Sequence, residues 1–233
     1  VNGQDDPAKR AAALVAIGEL HPGQHLALGT GSTAAAVLRA IAEKFGRPAP
    51  FDCVASSRAT EDLATSLGIP VRPLSAGDRF DLMLDGADEV TPSLDMTKGG
   101  GGALFREKFL ARLSHRVVIV VDASKLVRHL GDSHAIPIEV VPFARPVLAE
   151  RWRHDGWKVE LRRTPSGAPF VTDNGNEILD LRPSRGLEDP GAIDEALGRI
   201  EGVVETGLFC GIAHRVVIGS PDGQVEELNR PGL

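Results

Sequence analysis

Apolar positions along the first half of the chain fall into two alternating periods. Short, nearly continuous apolar runs at residues 25–28, 51–55, 82–84 and 116–121 read as strands covered on both faces, with a further short strand expected at 71–74. Between them, helical spacing predicts helices over 11–20, 34–45 and 59–67, the last closed by Gly68, a residue suited to a left-handed stop. A fourth helix is expected over 103–113, where Phe105, Phe109 and Leu113 stand four apart as an apolar stripe. Repeated strand-then-helix units of this kind predict an α/β fold built on a doubly wound, Rossmann-like parallel sheet.

From Gly131 the pattern changes. Strands are expected at 136–143, 158–163, 169–172, 177–181 and 203–209, with helices at 144–154 and 189–200, and Asp173-Asn-Gly-Asn176 supplies a strong turn signal. Strand, helix, strands, helix, strand predicts a smaller ferredoxin-like α+β domain over 131–211. It is inserted into a Rossmann-like domain made of 1–130 plus 212–233, with 216–218 and the tail returning to the first sheet.

Composition narrows the classes of function. The 233 residues are 42% hydrophobic and 25% charged, an ordinary balance for a soluble globular protein. A formal charge of -6 with 4% aromatic residues argues against a nucleic-acid surface, which needs a basic face and stacking rings. The longest apolar run, Val117 to Val121, falls far short of the ~20 residues that span a bilayer, so no membrane association is expected. The start, Val1 to Pro7, is acidic where a secretory leader is basic, and a cytoplasmic protein is expected. Cys53 and Cys210 form no C-x-x-C pair and read as reduced, buried thiols.

Two glycine-rich stretches carry candidate chemistry. In "LALGTGSTAAAVLRAI" a strand turns tightly into a helix, with Thr30, Gly31, Ser32 and Thr33 at the turn. Hydroxyls and free N–H groups there make a phosphate cradle, while a plain capped helix explains Ser32 or Thr33 equally well. Gly29, Gly31 and Ala34 also satisfy a loose dinucleotide fingerprint, but the next strand ends in Ala55-Ser-Ser-Arg58 rather than an acid, which leaves only NADP, through Arg58.

The second stretch is "DGADEVTPSLDMTKGGGGALFREK", Asp85 to Lys108. Four successive glycines are costly, at roughly 0.5 to 1 kcal/mol each inside a regular element, and they lead directly into a helix, which favours a binding loop over a linker. Asp85, Asp88, Asp95 and Glu89 lack the ordered spacing of a cation loop, so no metal is expected. The loops at 29–33, 56–57, 85–88 and 122–125 all follow strands and should converge beyond one sheet edge. Lysine is scarce, six against twenty arginines, yet Lys98 and Lys125 both fall in such loops. Phosphate, lysine and carboxylates without cofactor signals suit proton transfer beside a carbonyl. Glu107 is the candidate base and Lys98 the candidate stabiliser of the developing oxyanion. Taken alone, Glu107 reads more simply as a solvated acid complementing a helix dipole.

The chain resembles the ribose-5-phosphate isomerase A family. The resemblance rests on "GTGST" at Gly29, "VASSRAT" at Val54, "DGADE" at Asp85, "KGGGGAL" and "REK" from Lys98, and "DASK" at Asp122, with "PIEVVPFA", "VTDNGNEILD" and "GVVETGLF" in the second half. It implies interconversion of D-ribose 5-phosphate and D-ribulose 5-phosphate in the non-oxidative pentose phosphate pathway, with no metal or coenzyme, by a homodimer or homotetramer. It also implies that Thr30, Gly31, Ser32, Thr33, Asp85, Gly86, Ala87, Asp88, Lys98, Gly99, Gly100, Gly101 and Lys125 line the substrate site. Glu107 would accept the proton, Asp85 and Asp88 would act on sugar hydroxyls during ring opening, and Lys98 would steady the enediolate. A non-catalytic sugar-phosphate sensor on the same fold is the alternative.

Overall fold

The apolar run Val117 to Val121 becomes the interior of a nine-residue strand at the middle of the larger sheet. The computed structural model describes residues 6–230; the acidic start, 1–5, and the last three residues lie outside the described residues. In chain order the elements are α1 (Pro7–Ala16), β1 (His25–Leu28), α2 (Ser32–Phe45), β2 (Asp52–Ala55), α3 (Arg58–Ser66), β3 (Phe80–Asp85), β4 (Glu89–Val90), β5 (Met96–Thr97), α4 (Leu104–Arg112) and β6 (Ser114–Asp122). They continue with β7 (Ile136–Val140), α5 (Arg145–His154), β8 (Lys158–Leu161), β9 (Glu177–Arg182), α6 (Pro190–Gly198), β10 (Val203–Thr206), β11 (Leu208–Phe209), β12 (Arg215–Gly219) and β13 (Val225–Asn229).

The described chain divides into two compact units. The first takes the chain up to Ala87, Arg106–Lys125 and the chain from Ile212; the second takes Asp88–Phe105 and Leu126–Gly211. In the first unit six strands lie in the order β13-β12-β6-β3-β1-β2, parallel throughout except for β13, which runs antiparallel to β12. Alternate residues of the central strands, Leu26, Leu28, Leu82, Leu84, Val118 and Val120, pack with Val37, Leu38 and Ile41 of α2 and with Ala12, Ala13 and Ala16 of α1. Each large aliphatic side chain buried there contributes about 1.5 to 3 kcal/mol. Helix α1 begins at Pro7, earlier than the apolar spacing suggests. Asp6 caps it by accepting the N–H of Ala8 at 3.0 Å, and proline at the first turn forfeits no helical hydrogen bond. Residues 71–74 form no strand; Val71 makes a single bridge to Cys53, and Pro70 and Pro73 on either side have no N–H to extend it.

In the second unit β10-β7-β9-β8 form an antiparallel sheet. With α5 after β7 and α6 after β9, this is the ferredoxin-like order. Ile136, Ile138, Val140, Leu179 and Leu181 pack on Leu148 and Trp152 of α5 and on Leu197 of α6. A second, three-stranded sheet, β11-β5-β4, draws residues 88–105 into this unit, whereas the sequence pattern sets the boundary at 131. The N–H of Val127 on the carbonyl of Val90, at 2.9 Å, ties in the residues just before 131 as well. The stretch 203–209, expected as one strand, is cut at Gly207 into β10 and β11, which belong to different sheets. Residues 169–172 contribute only isolated bridges at Pro169 and Val171.

Cys53 is wholly buried in β2; burial, helped by the Asp52 carboxylate, pushes its thiol up to about 12 and leaves it unreactive. Cys210 is only half-buried, unlike the sequence expectation. No helix among the described residues is long and apolar enough to cross a membrane.

Candidate active site

In the first unit the turn from β1 to α2 is built around Asp85, the last residue of β3. The Asp85 carboxyl is fully buried, and its Oδ1 accepts the N–H of Thr30 at 3.2 Å and of Gly86 at 2.7 Å. A side chain at Gly29 would occupy the same space, since a Cβ there would lie 2.0 Å from the Asp85 Cγ. The first glycine of the apparent dinucleotide fingerprint is therefore required by a neighbouring carboxylate. Arg58, the possible NADP contact, is an exposed residue at the start of α3.

Hydroxyls lock the rest of the turn. Thr30 Oγ1 lies 2.7 Å from Ser56 Oγ, 2.8 Å from Ser57 Oγ and 3.2 Å from Thr60 Oγ1, while Thr60 donates to the Gly29 carbonyl at 2.9 Å. Ser56 and Ser57, expected at the sheet edge, thus hold the 29–33 loop in place. Helix α2 starts at Ser32, and the position before it is Gly31, with a φ of 105° and no side chain with which to cap. The plain-cap reading of this turn therefore fails: Ser32 and Thr33 are first-turn residues, not caps, of a fourteen-residue helix.

Lys9 of α1, passed over in the sequence, joins this group. Its Nζ lies 3.3 Å from Ser32 Oγ and 4.0 Å from Asp122 Oδ2, with Asp6 at 3.4 Å. Asp122 ends β6. Burial raises its carboxyl, but the Ser124 hydroxyl and N–H, followed by the charges of Lys9 and Lys125, outweigh burial and hold it below the usual carboxylate range. The Lys9 ammonium thus lies against the start of α2 between two carboxylates, Asp6 and Asp122, and Lys125 adds its charge at Asp122. Lys9 shares the scarcity argument that singles out Lys98 and Lys125, but only the seating of α1 on the sheet brings it to this place.

Glu107 stands in the first turns of α4 and is 2% exposed, and the adjacent Lys108 is buried completely. A solvated acid is excluded. The apolar stripe expected on this helix is also wrong: Phe109 is 46% exposed, and the buried face carries Leu104, Leu110 and Ala111 together with Glu107 and Lys108. The buried positions 104, 107, 108 and 111 share the spacing of one helix face, and Phe109 lies off it.

The remaining candidates belong to the second unit. Asp88 pairs its N–H with the Thr97 carbonyl at 2.8 Å, and its Oδ2 accepts the Gly100 N–H at 2.8 Å. Lys98 is 3% exposed, its N–H donates to the Gly207 carbonyl at 2.9 Å, and its ammonium lies 5.5 Å from the centre of the Phe209 ring. The glycines that follow are held from the antiparallel sheet by Arg162, whose Nη1 donates to the Gly99 carbonyl at 2.6 Å and the Gly100 carbonyl at 3.1 Å. Glu89, considered for a cation, is instead saturated by protein donors: Ser133 N–H and Oγ and His134 N–H on Oε1, Gly131 N–H and Thr97 Oγ1 on Oε2.

Residues 52–223 match the family described as Ribose 5-phosphate isomerase A (phosphoriboisomerase A). Ribose-5-phosphate isomerase A of Chloroflexus aurantiacus is 44% identical over 217 residues, covering 92% of this chain and 90% of that protein; the Synechococcus protein of the same name is 40% identical, covering 93% and 92%. Among solved structures, a D-ribose-5-phosphate isomerase in complex with phospho-erythronic acid superposes with a TM-score of 0.90 at 35% identity, covering 96% of this chain and 98% of that one. Ribose 5-phosphate isomerase of Plasmodium falciparum gives 0.90 at 32% identity, covering 97% and 100%. With matches of this extent, the chain belongs to the ribose-5-phosphate isomerase A family of isomerases.

Proposed function

We propose that the protein interconverts D-ribose 5-phosphate and D-ribulose 5-phosphate through an enediolate, in the non-oxidative pentose phosphate pathway of the cytoplasm, as a homodimer or homotetramer. The observation that carries this reading is the burial of Glu107, which is 2% exposed. A carboxylate removed from water in this way is suited to taking a proton from carbon, whereas a solvated acid serves only the helix dipole.

In the proposed course the start of α2, Lys9 and Lys125 hold the phosphate. Asp85 and Asp88 engage sugar hydroxyls as the ring opens to the aldehyde. Glu107 then takes the C2 proton, the C–H electron pair forms the C1–C2 double bond, and the carbonyl electrons move onto O1. Lys98 stabilises that oxyanion. A proton passes from O2 to O1, and Glu107 returns its proton to C1 as the electrons of O2 form the C2 carbonyl. One carboxylate thus both removes and restores the proton, and no redox partner is needed. Binding of phospho-erythronic acid by a relative agrees with a site that accepts an anionic sugar phosphate.

The test is solvent exchange. In D2O, D-ribose 5-phosphate should lose its C2 hydrogen to solvent in the presence of enzyme and give ribulose 5-phosphate. Folded protein that binds the sugar phosphate with neither exchange nor turnover would instead be a sensor.

A further inference from the structure

The peptide joining Gly99 to Gly100 is gripped from opposite sides by opposite charges. Its carbonyl accepts the Arg162 guanidinium at 2.6 Å, and its N–H donates to Asp88 Oδ2 at 2.8 Å. A peptide polarised between a cation and an anion makes both hydrogen bonds stronger than either would be alone.

Arg162 is itself held on every side. Nε donates to Asp180 Oδ2 at 2.9 Å and Nη2 to Asp180 Oδ1, a two-point pairing that uses one edge of the planar fork and leaves Nη1 for the glycine carbonyls. Its backbone N–H donates to the Ile178 carbonyl at 2.9 Å, and its own carbonyl accepts the Phe170 N–H at 2.9 Å. The Phe170 ring covers the far end of the same glycine run, where a Cβ at Gly102 would lie 2.4 Å from Cε1. At Gly100 a Cβ would lie 2.6 Å from Asp88 Oδ1, so the carboxylate can be gripped only because that position has no side chain. These contacts all lie within the second unit. They form one chain from the antiparallel sheet to Asp88: Asp180, Arg162, the Gly99–Gly100 peptide, Asp88.

We propose that Arg162, braced by Asp180, is a positioning residue for Asp88, fixing through a single peptide the direction in which that carboxylate meets a sugar hydroxyl. The inference rests on the reading of Asp88 as a substrate-contacting residue. It explains why the antiparallel sheet, which supplies none of the proposed substrate contacts, places a half-buried ion pair beneath the glycine loop. It also accounts for the use of arginine, since an ammonium cannot pair with Asp180 at two points and reach two carbonyls as well.

The test is a double-mutant cycle on the full-length enzyme, with kcat and KM for D-ribose 5-phosphate measured for wild type, Arg162→Met, Asp88→Ala and the double variant, and thermal melting followed in parallel. Arg162→Met should lower kcat/KM by about tenfold to a hundredfold, mostly in kcat, as small misplacements of reacting groups do. In the Asp88→Ala background the same change should cost less than about twofold, because the group it positions is gone. Arg162→Lys should fall between wild type and Arg162→Met. Losses that multiply in the double variant would overturn the proposal in favour of a purely structural ion pair, and so would an Arg162→Met enzyme of wild-type kcat/KM. If Arg162→Met does not fold, Asp180→Asn takes its place in the cycle with the same expectations. Asp88→Ala with undiminished turnover would remove the role of Asp88 and the proposal with it. A wild-type enzyme without turnover would refute the isomerase reading itself, a different result from an additive cycle.

Discussion

The side chain that Gly29 lacks is replaced in space by the carboxyl of Asp85, whose Cγ would stand 2.0 Å from a Cβ at residue 29. The end of β3 and the turn after β1 are thereby interlocked, and the Thr30 and Gly86 N–H groups complete the lock on Oδ1. Gly29→Ala should displace Asp85 and overpack the turn, costing about 1 to 3 kcal/mol of stability. It should lower kcat/KM on the order of 10²-fold. Thermal melts and steady-state kinetics read both, and unchanged kinetics would show that the placement of Asp85 is immaterial to turnover.

Glu107→Gln keeps the shape of the buried side chain and removes its basicity. Turnover should fall by roughly 10² to 10⁴, the usual weight of general acid–base catalysis, with a much smaller change in substrate affinity. Calorimetric titration with the sugar phosphate separates the two. Equal losses in binding and turnover would make Glu107 a substrate clamp.

Lys9→Met tests whether the ammonium beside Ser32 holds phosphate. A partly exposed ionic contact is worth about 1 kcal/mol, so KM should rise about fivefold while kcat stays within about twofold. The effect should shrink as salt is added. A fall in kcat at constant KM would place Lys9 in the chemical step.

Glu89 supplies an acid-dependent contribution to stability. Burial alone raises its carboxyl, and the N–H groups of Gly131, His134 and Ser133 with the Ser133 hydroxyl more than reverse this, so in the folded chain it lies below the ordinary range. The unfolded chain then binds the proton more readily, with a pKa of about 4.3. The contribution is complete above that value and drains away as the pH falls through the lower, folded one. Glu89→Gln should cost about 2 to 3 kcal/mol at neutral pH, since an amide nitrogen would face donors that a carboxylate accepts. The gap between wild type and variant should narrow in acid, and melting curves from neutral pH downward would show it; a gap independent of pH would discount the carboxylate.

The larger sheet was legible because β1, β2, β3 and β6 are near-continuous apolar runs, with helices directly after β1 and β2, and the ferredoxin-like order was legible from its own alternation of strand and helix signals. The three-stranded sheet was not. Its strands are two residues long, too short to show a period, and Thr97 finds its partner in Leu208, more than a hundred positions away. The candidate site divides likewise. "GTGST", "DGADE" and the four glycines announce themselves as motifs, whereas Lys9 and Arg162 are ordinary residues on ordinary elements. Their significance lies in a helix seated on the sheet and a ladder that turns a guanidinium toward two carbonyls, neither of which any local spacing encodes. Phe109 misled because aromatic residues four apart look like a core stripe, while the buried face of α4 holds Glu107 and Lys108.

Gly207 leaves the chain no slack. Its N–H binds the Pro137 carbonyl and its carbonyl binds the Lys98 N–H, so β10 and β11 are fixed in register on either side of one residue. Inserting a single amino acid there would turn Leu208 and Phe209 over, sending the aromatic ring to the opposite face from the ammonium it now shelters. Length changes at this joint are therefore lesions of chemistry as much as of architecture, in a segment that a surface survey would pass as an unremarkable bend between strands.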